Sequence, residues 1–124
     1  LYAWVNPPYG DSLTECVAAL LAHDGPAHFL CFNSSETAWC QAMFTAKLPV
    51  LFLNRRVPFV DGRVMVEEKE GKRKTGRLIE NPNYGLVGDS PSKGSYIFSR
   101  TQGIDLDALF HAEQAGYGRV YGIT

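Results

Sequence analysis

Two adjacent prolines, Pro7 and Pro8, follow the apolar run Leu1-Tyr2-Ala3-Trp4-Val5 and require that any strand formed there stop at once. Each removes a backbone donor and holds φ near about −65°, so a sheet ladder cannot pass through the pair. What results is a stiff, extended loop at a strand's carboxyl end, fronted by the carboxamide of Asn6 and backed by the ring of Tyr9. Such a loop suits a planar group bearing an exocyclic amine. Asn6 Oδ1 and the Pro7 carbonyl are acceptors for both hydrogens of an amine, and the Tyr9 ring offers a stacking face. An amine held through both hydrogens has its lone pair turned out of conjugation and aimed at an electrophile. The plain alternative is a turn, which Asn-Pro also favours. Against it, the tetrapeptide is expected by chance in well under about one in a thousand chains of this length. A near-copy, Asn81-Pro82-Asn83-Tyr84, lacks the second proline, follows polar sequence and reads as a loop.

The pattern around this loop predicts an α/β chain. After a first strand over residues 2–5, Ser12-Leu13-Thr14-Glu15 has capping-box spacing, with Asp11 adding negative charge at the helix start. Leu13, Cys16, Val17, Leu20 and Leu21 then form one apolar face, and Asp24-Gly25-Pro26 ends it. Residues 28–32 read as a short buried strand. Asn33, Ser34 and Ser35 offer caps for a helix near 36–46, with Trp39 more readily a core residue than a base-stacking one. Pro49 then precedes a strand over Val50–Leu53. Strand, helix, strand, helix, strand is the order of a parallel sheet with crossover helices. Beyond Arg56, pieces at 57–60 and 63–68 joined by Asp61-Gly62 suggest an antiparallel hairpin. The polar stretch 67–93 shows no regular period. Tyr96–Ser99 reads as a strand, and Asp105 as the cap of a last helix carrying Leu106, Leu109 and Phe110 inward and ending at Gly116.

The 124 residues suffice for one domain with a real core and contain no linker or internal repeat. No apolar run reaches about 18 residues, so no membrane span is expected, and no basic-then-apolar leader is visible. Cys16, Cys31 and Cys40 are odd in number and lack C-x-x-C spacing; His23, His28 and His111 lack ligand spacing too. Free buried thiols, no metal site and a reducing intracellular compartment are therefore expected. Charge is unevenly distributed. Residues 55–100 hold ten Lys and Arg against six acids, a net of +4, while the remainder carries two against seven, a net of −5. This fits a nucleic-acid-facing edge through Arg55, Arg56, Lys72, Arg73 and Lys74, and equally a solvated hairpin with an ordinary surface arginine pair.

From Val5-Asn6-Pro7-Pro8-Tyr9-Gly10 to about Arg100, the chain resembles the carboxyl-terminal half of the phage-type Dam DNA N6-adenine methyltransferases. After the motif come a short helix, an apolar strand ending in small polar residues, and a Trp-containing helix at Ser34-Ser35-Glu36-Thr37-Ala38-Trp39. Next is an apolar strand delivering Arg and an aromatic, Phe52-Leu53-Asn54-Arg55-Arg56-Val57-Pro58-Phe59, and later the segment Ser90-Pro91-Ser92-Lys93-Gly94-Ser95-Tyr96-Ile97-Phe98. The resemblance implies a partial Rossmann-like methyltransferase fold, S-adenosylmethionine as donor and an adenine flipped out of duplex DNA. It implies that Asn6 and the Pro7 carbonyl orient the amine beside the methyl group, that Pro8 stiffens the loop and that Tyr9 stacks on the base. Catalysis would be mainly positioning. It further implies a phage or prophage protein working in a bacterial cytoplasm.

Donor-binding loops of such enzymes lie upstream of this motif, and no glycine pattern here follows a strand and opens a helix. The single domain over 1–124 is thus expected to be the catalytic-motif portion, its donor site supplied by a second chain or a further segment. Two rivals stand beside adenine methylation. One is the same chemistry on an RNA amine or a protein amide. The other is a non-catalytic nucleic-acid-binding or interaction module.

Overall fold

The computed structural model describes residues 1–8, 10–88, 91 and 93–122. Tyr9, Ser90 and Ser92, to which the resemblance assigns parts, lie outside the described residues. The chain divides into two compact units, residues 1–56 with 92–124 and residues 57–91.

The first unit is α/β. Its elements are β1 (Ala3–Val5), α1 (Leu13–Ala22), β2 (Ala27–Phe32), α2 (Ala38–Thr45) and β3 (Val50–Leu53). The later segment adds a strand at Ser95–Ser99, a helix at Ile104–Gln114 and a strand at Gly118–Tyr121. Between these segments the second unit contributes β4 (Met65–Glu70) and β5 (Arg73–Glu80), so the later strands are β6 and β7 and the last helix is α3. The five-stranded sheet runs β1-β2-β6-β3-β7. β1 and β2 are parallel, whereas β6 is antiparallel to both β2 and β3, and β7 is antiparallel to β3. The sheet is therefore mixed. β6 occupies the place beside β2 that an all-parallel reading gives to β3.

Helices lie on both faces of the central strands, which is why these are nearly continuous apolar runs. Alternation sends Phe29, Cys31, Val50 and Phe98 toward α1 and α2, where Leu13, Val17, Leu20, Cys40 and Met43 complete the larger core. Leu51 faces the other way and packs with Leu106 and Leu109 of α3. Cys31 and Cys40 are buried free thiols and Cys16 is half-buried.

Several local expectations are corrected. The capping box does not form: Ser12 is helical in φ and ψ and its side chain makes no cap bond. α2 is capped instead by Thr37, whose hydroxyl accepts from Cys40 N. α3 starts after Gly103, so Asp105 is its second residue and is fully buried. A hairpin exists, but at Gly71-Lys72 and not at Asp61-Gly62. Gly71 takes φ +62 in the first position of that two-residue loop, where a side chain is strained and glycine is not. Asp61 serves another purpose. Its carboxylate accepts from Arg63 at 2.7 and 3.0 Å, and these bonds hold it well below the usual carboxylate range. β5 crosses sequence that showed no period, and β7 was not anticipated. Asn81-Pro82-Asn83-Tyr84 is indeed a turn, with Asn81 Oδ1 accepting from Asn83 N at 3.0 Å.

Candidate functional site

β1 is an edge strand whose last paired residue, Val5, lies opposite Phe29, yet β2 runs on to Phe32. The early stop is the work of the prolines, which deny the ladder two donors. It leaves a notch at the carboxyl edge of the sheet, and Asn6-Pro7-Pro8 occupies that corner. Pro7 is buried, whereas Asn6 and Pro8 are exposed. Asn6 has no hydrogen-bond partner among the described residues, so both its oxygen and its amide hydrogens are unspent. A buried proline under an unengaged carboxamide gives a rigid base and a free polar tip. The connection then reaches α1 through Gly10, whose carbonyl accepts from Leu13 N at 3.2 Å.

The same edge gathers the ends of the other strands. After β2, Asn33 Oδ1 accepts from the Tyr96 hydroxyl at 2.6 Å. After β3, Asn54 donates from Nδ2 to Gly116 O at 2.9 Å. Arg55 donates to Asn54 Oδ1 and to Gly116 O, both at 3.2 Å, and its guanidinium lies 4.9 Å from the Tyr117 ring centre. Arg55 is thus a positioned cation, not a loose surface chain. Arg56 is exposed. Open α/β sheets bind ligands at this carboxyl edge.

Lys72, Arg73 and Lys74 belong to the second unit, at the exposed tip of the β4–β5 hairpin. Lys74 lies directly opposite Lys69, while Arg73 lies opposite Glu70. Like charges facing each other weaken a hairpin. That pair is a local feature which hairpin stability alone does not favour.

Two groupings escaped the sequence reading. One centres on His28, buried on β2. Its Nε2 lies 2.8 Å from the Asp105 carbonyl, which can only accept, so Nε2 carries the proton and Nδ1 receives the Tyr2 hydroxyl. The Asp105 carboxylate accepts from Ala27 N at 3.1 Å, from Thr101 N at 2.7 Å and from the Thr101 hydroxyl. Burial pushes its pKa up, but the bonds from Thr101 and Ala27 outweigh that and bring it below the ordinary value. This grouping ties the start of α3 to β2. The other is a cavity of about 530 Å³ against β3 and β7, lined by Phe52, Asn54, Glu113, Arg119 and Tyr121. The alternation Tyr117, Arg119, Tyr121 was its only trace in sequence, too short to separate from a loop.

No strand-to-helix turn among the described residues forms a glycine-rich cradle. The β1–α1 connection opens with Asn6-Pro7-Pro8 and carries Gly10 and Asp11 before α1, the β2–α2 connection over 33–37 has no glycine, and the β6–α3 connection has Gly103 alone, at the cap of α3. The residues gathered here do not fit a nucleoside-sulfonium donor. Among the described residues, no helix is long and apolar enough to cross a membrane. Comparison with family models, with curated proteins and with solved structures finds no match.

Proposed function

We propose that this chain carries the amine-gripping portion of an S-adenosylmethionine-dependent methyltransferase acting on adenine N6 in duplex DNA. The observation that carries the reading is the corner at Asn6-Pro7-Pro8, with a buried proline, an unengaged carboxamide and a strand cut short at the carboxyl edge. A Rossmann-like methyltransferase half accords with the strand arrangement. β1 and β2 run parallel with α1 as crossover, and a reversed β6 separates β2 from β3. In this reading Asn6 Oδ1 and the Pro7 carbonyl accept the two amine hydrogens, and the loop holds the nitrogen lone pair toward its electrophile. Tyr9 is assigned the stacking face. Positioning is the main contribution, with the adenine first turned out of the duplex.

When bound, the donor supplies the methyl group, and its binding is assigned to residues beyond those described, in a second chain or a further segment. The open edge of β1 favours such an addition, since an unpaired strand edge is a template for another strand. Beside it lies an apolar groove of about 230 Å³ lined by Ala3, Val5, Cys16 and Leu20.

The test is transfer of labelled methyl from S-adenosylmethionine to unmethylated duplex DNA, with digestion to nucleosides and Asn6→Ala alongside. Label in N6-methyladenosine, reduced at least about 100-fold in folded Asn6→Ala, is the expected result. Transfer to an RNA amine or a protein amide, offered in place of the DNA, would assign the same grip to another acceptor. A second reading, a non-catalytic nucleic-acid-binding module, is favoured by the facing Lys69 and Lys74 at the hairpin tip. It predicts that Asn6→Ala is silent, while Lys72→Gln, Arg73→Gln and Lys74→Gln together weaken DNA binding and flatten its salt dependence.

A further inference from the structure

We propose that the open face of β3 and β7 is a nucleotide-binding platform, separate from the amine grip at Asn6. α2 covers only part of the sheet. Its Phe44 reaches Tyr96 and Phe98, at ring distances of 6.2 and 5.4 Å, and the helix is then ended by Lys47 at φ +58 and by Pro49. Outward from there no helix of the first unit covers this face among the described residues, and Arg119 and Tyr121 are exposed. Tyr96 stands 4.6 Å from Phe52, and Phe52 stands 5.0 Å from Tyr121, giving a run of rings across three strands that ends in a half-exposed tyrosine.

Register places Arg119 directly opposite Phe52, on the same face as Tyr121 two residues later. Arg119 is exposed and has no ion-pair partner among the described residues. Asn54 closes one side. Arg55 is held by the lining residues Asn54 and Gly116, and three of its five guanidinium N–H groups have no partner among the described residues. The carboxylate of Glu113 reaches around the edge of β7 and accepts from Val120 N at 2.7 Å. Two guanidiniums against one engaged carboxylate leave the site net positive.

β7 reaches this position because Gly118 passes against β3, where a Cβ would lie 2.0 Å from the Phe52 carbonyl oxygen. Only glycine allows that approach. The half-exposed Tyr121 ring, tilted 50° to Phe52, offers one stacking face, and Arg119 with the prepositioned Arg55 beside it matches a base next to its phosphate. Sheet-borne aromatics with basic neighbours bind unstacked nucleotides in this way. The cavity of about 530 Å³ falls within the range of small-ligand sites. The ligand is therefore a nucleotide, either within a single strand or free.

Oligothymidine offers no adenine to the amine grip, and with no methyl donor present its binding is independent of methyl transfer. Anisotropy of labelled oligothymidine should show saturable binding. Tyr121→Ala should weaken it by about 5- to 150-fold, the range for losing one stacked base. Tyr121→Phe should restore it, and Arg119→Gln should reduce the slope of log affinity against log salt by about 0.7. Competition by thymidine monophosphate at comparable affinity would identify the free nucleotide as the ligand, and failure to compete would identify the strand. Absence of binding by the wild-type chain, or equal binding by folded Tyr121→Ala and Arg119→Gln, would overturn the proposal.

Discussion

The two units use the same kind of ladder to opposite ends. In the sheet of the first unit, Phe29 and Phe98 are wholly buried, and helices lie on both faces. In the second unit, no residue of β4 or β5 is buried; both strands are half-exposed or exposed throughout. A two-stranded ribbon with no buried residue is marginal in water. Its order must come from backbone pairing and local polar bonds, such as Asp61 with Arg63 and Thr75 with Glu68. The lesson is a division of labour. Burial fixes the element that positions Asn6, while the hairpin that exposes Lys72 and Lys74 has no buried residue in its strands.

The sharpest way to break that contrast is to empty the core. Phe98 touches the rings of Phe44 and Tyr96, so truncation leaves a cavity that the sheet cannot close. Phe98→Ala should cost about 3–5 kcal/mol. Urea unfolding followed by tryptophan emission reads this directly, because Trp4 and Trp39 both lie in the first unit. An unchanged midpoint would mean that burial does not set the stability of that unit.

A smaller effect, with a pH signature, is expected at Asp105. Its folded pKa lies below the ordinary 3.8 because Thr101 and Ala27 hydrogen bonds to the carboxylate outweigh the cost of burial. A depressed folded value means that the carboxylate's stabilisation is present above pH 3.8 and is lost as pH falls through the folded value. Asp105→Asn should lower stability at neutral pH by about 3 kcal/mol, the upper range for bonds to a charged group. It should also flatten the acid limb of the stability curve below about pH 4. A mutant that keeps the wild-type acid limb would assign that limb to other carboxylates.

What the sequence made legible follows the same division. β2 and β3 were readable because burial on both faces demands unbroken apolar runs such as Phe29-Leu30-Cys31 and Val50-Leu51. α1 was readable from Leu13, Val17 and Leu20. The insertion of β6 between β2 and β3 was not, since it depends on pairing Leu30 and Leu51 with Ile97 across long stretches of chain. The hairpin was displaced because Asp-Gly is a strong local turn signal, yet Asp61 spends its carboxylate on Arg63 while Gly71 makes the turn. The corner at Asn6 was legible because proline acts on its own neighbours. The Phe52–Tyr121 platform was not, because it exists only where β7 meets β3.

The smallest expected effect tests whether the two units fail separately. Asn81 is buried at the foot of the hairpin; its Nδ2 donates to Arg63 O at 2.9 Å, its Oδ1 accepts from Asn83 N at 3.0 Å, and its own N–H bonds Val64 O at 2.9 Å. The backbone bond survives Asn81→Ala, and the two side-chain bonds do not. The loss should be about 1–2 kcal/mol, seen as amide exchange about 5- to 30-fold faster along β4 and β5. Every bond removed lies within residues 57–91, so the tryptophan-reported midpoint should stay where it is. If that midpoint moved with the exchange rates, the hairpin and the sheet would be one cooperative body. The basic tip would then be held by the same core that positions Asn6.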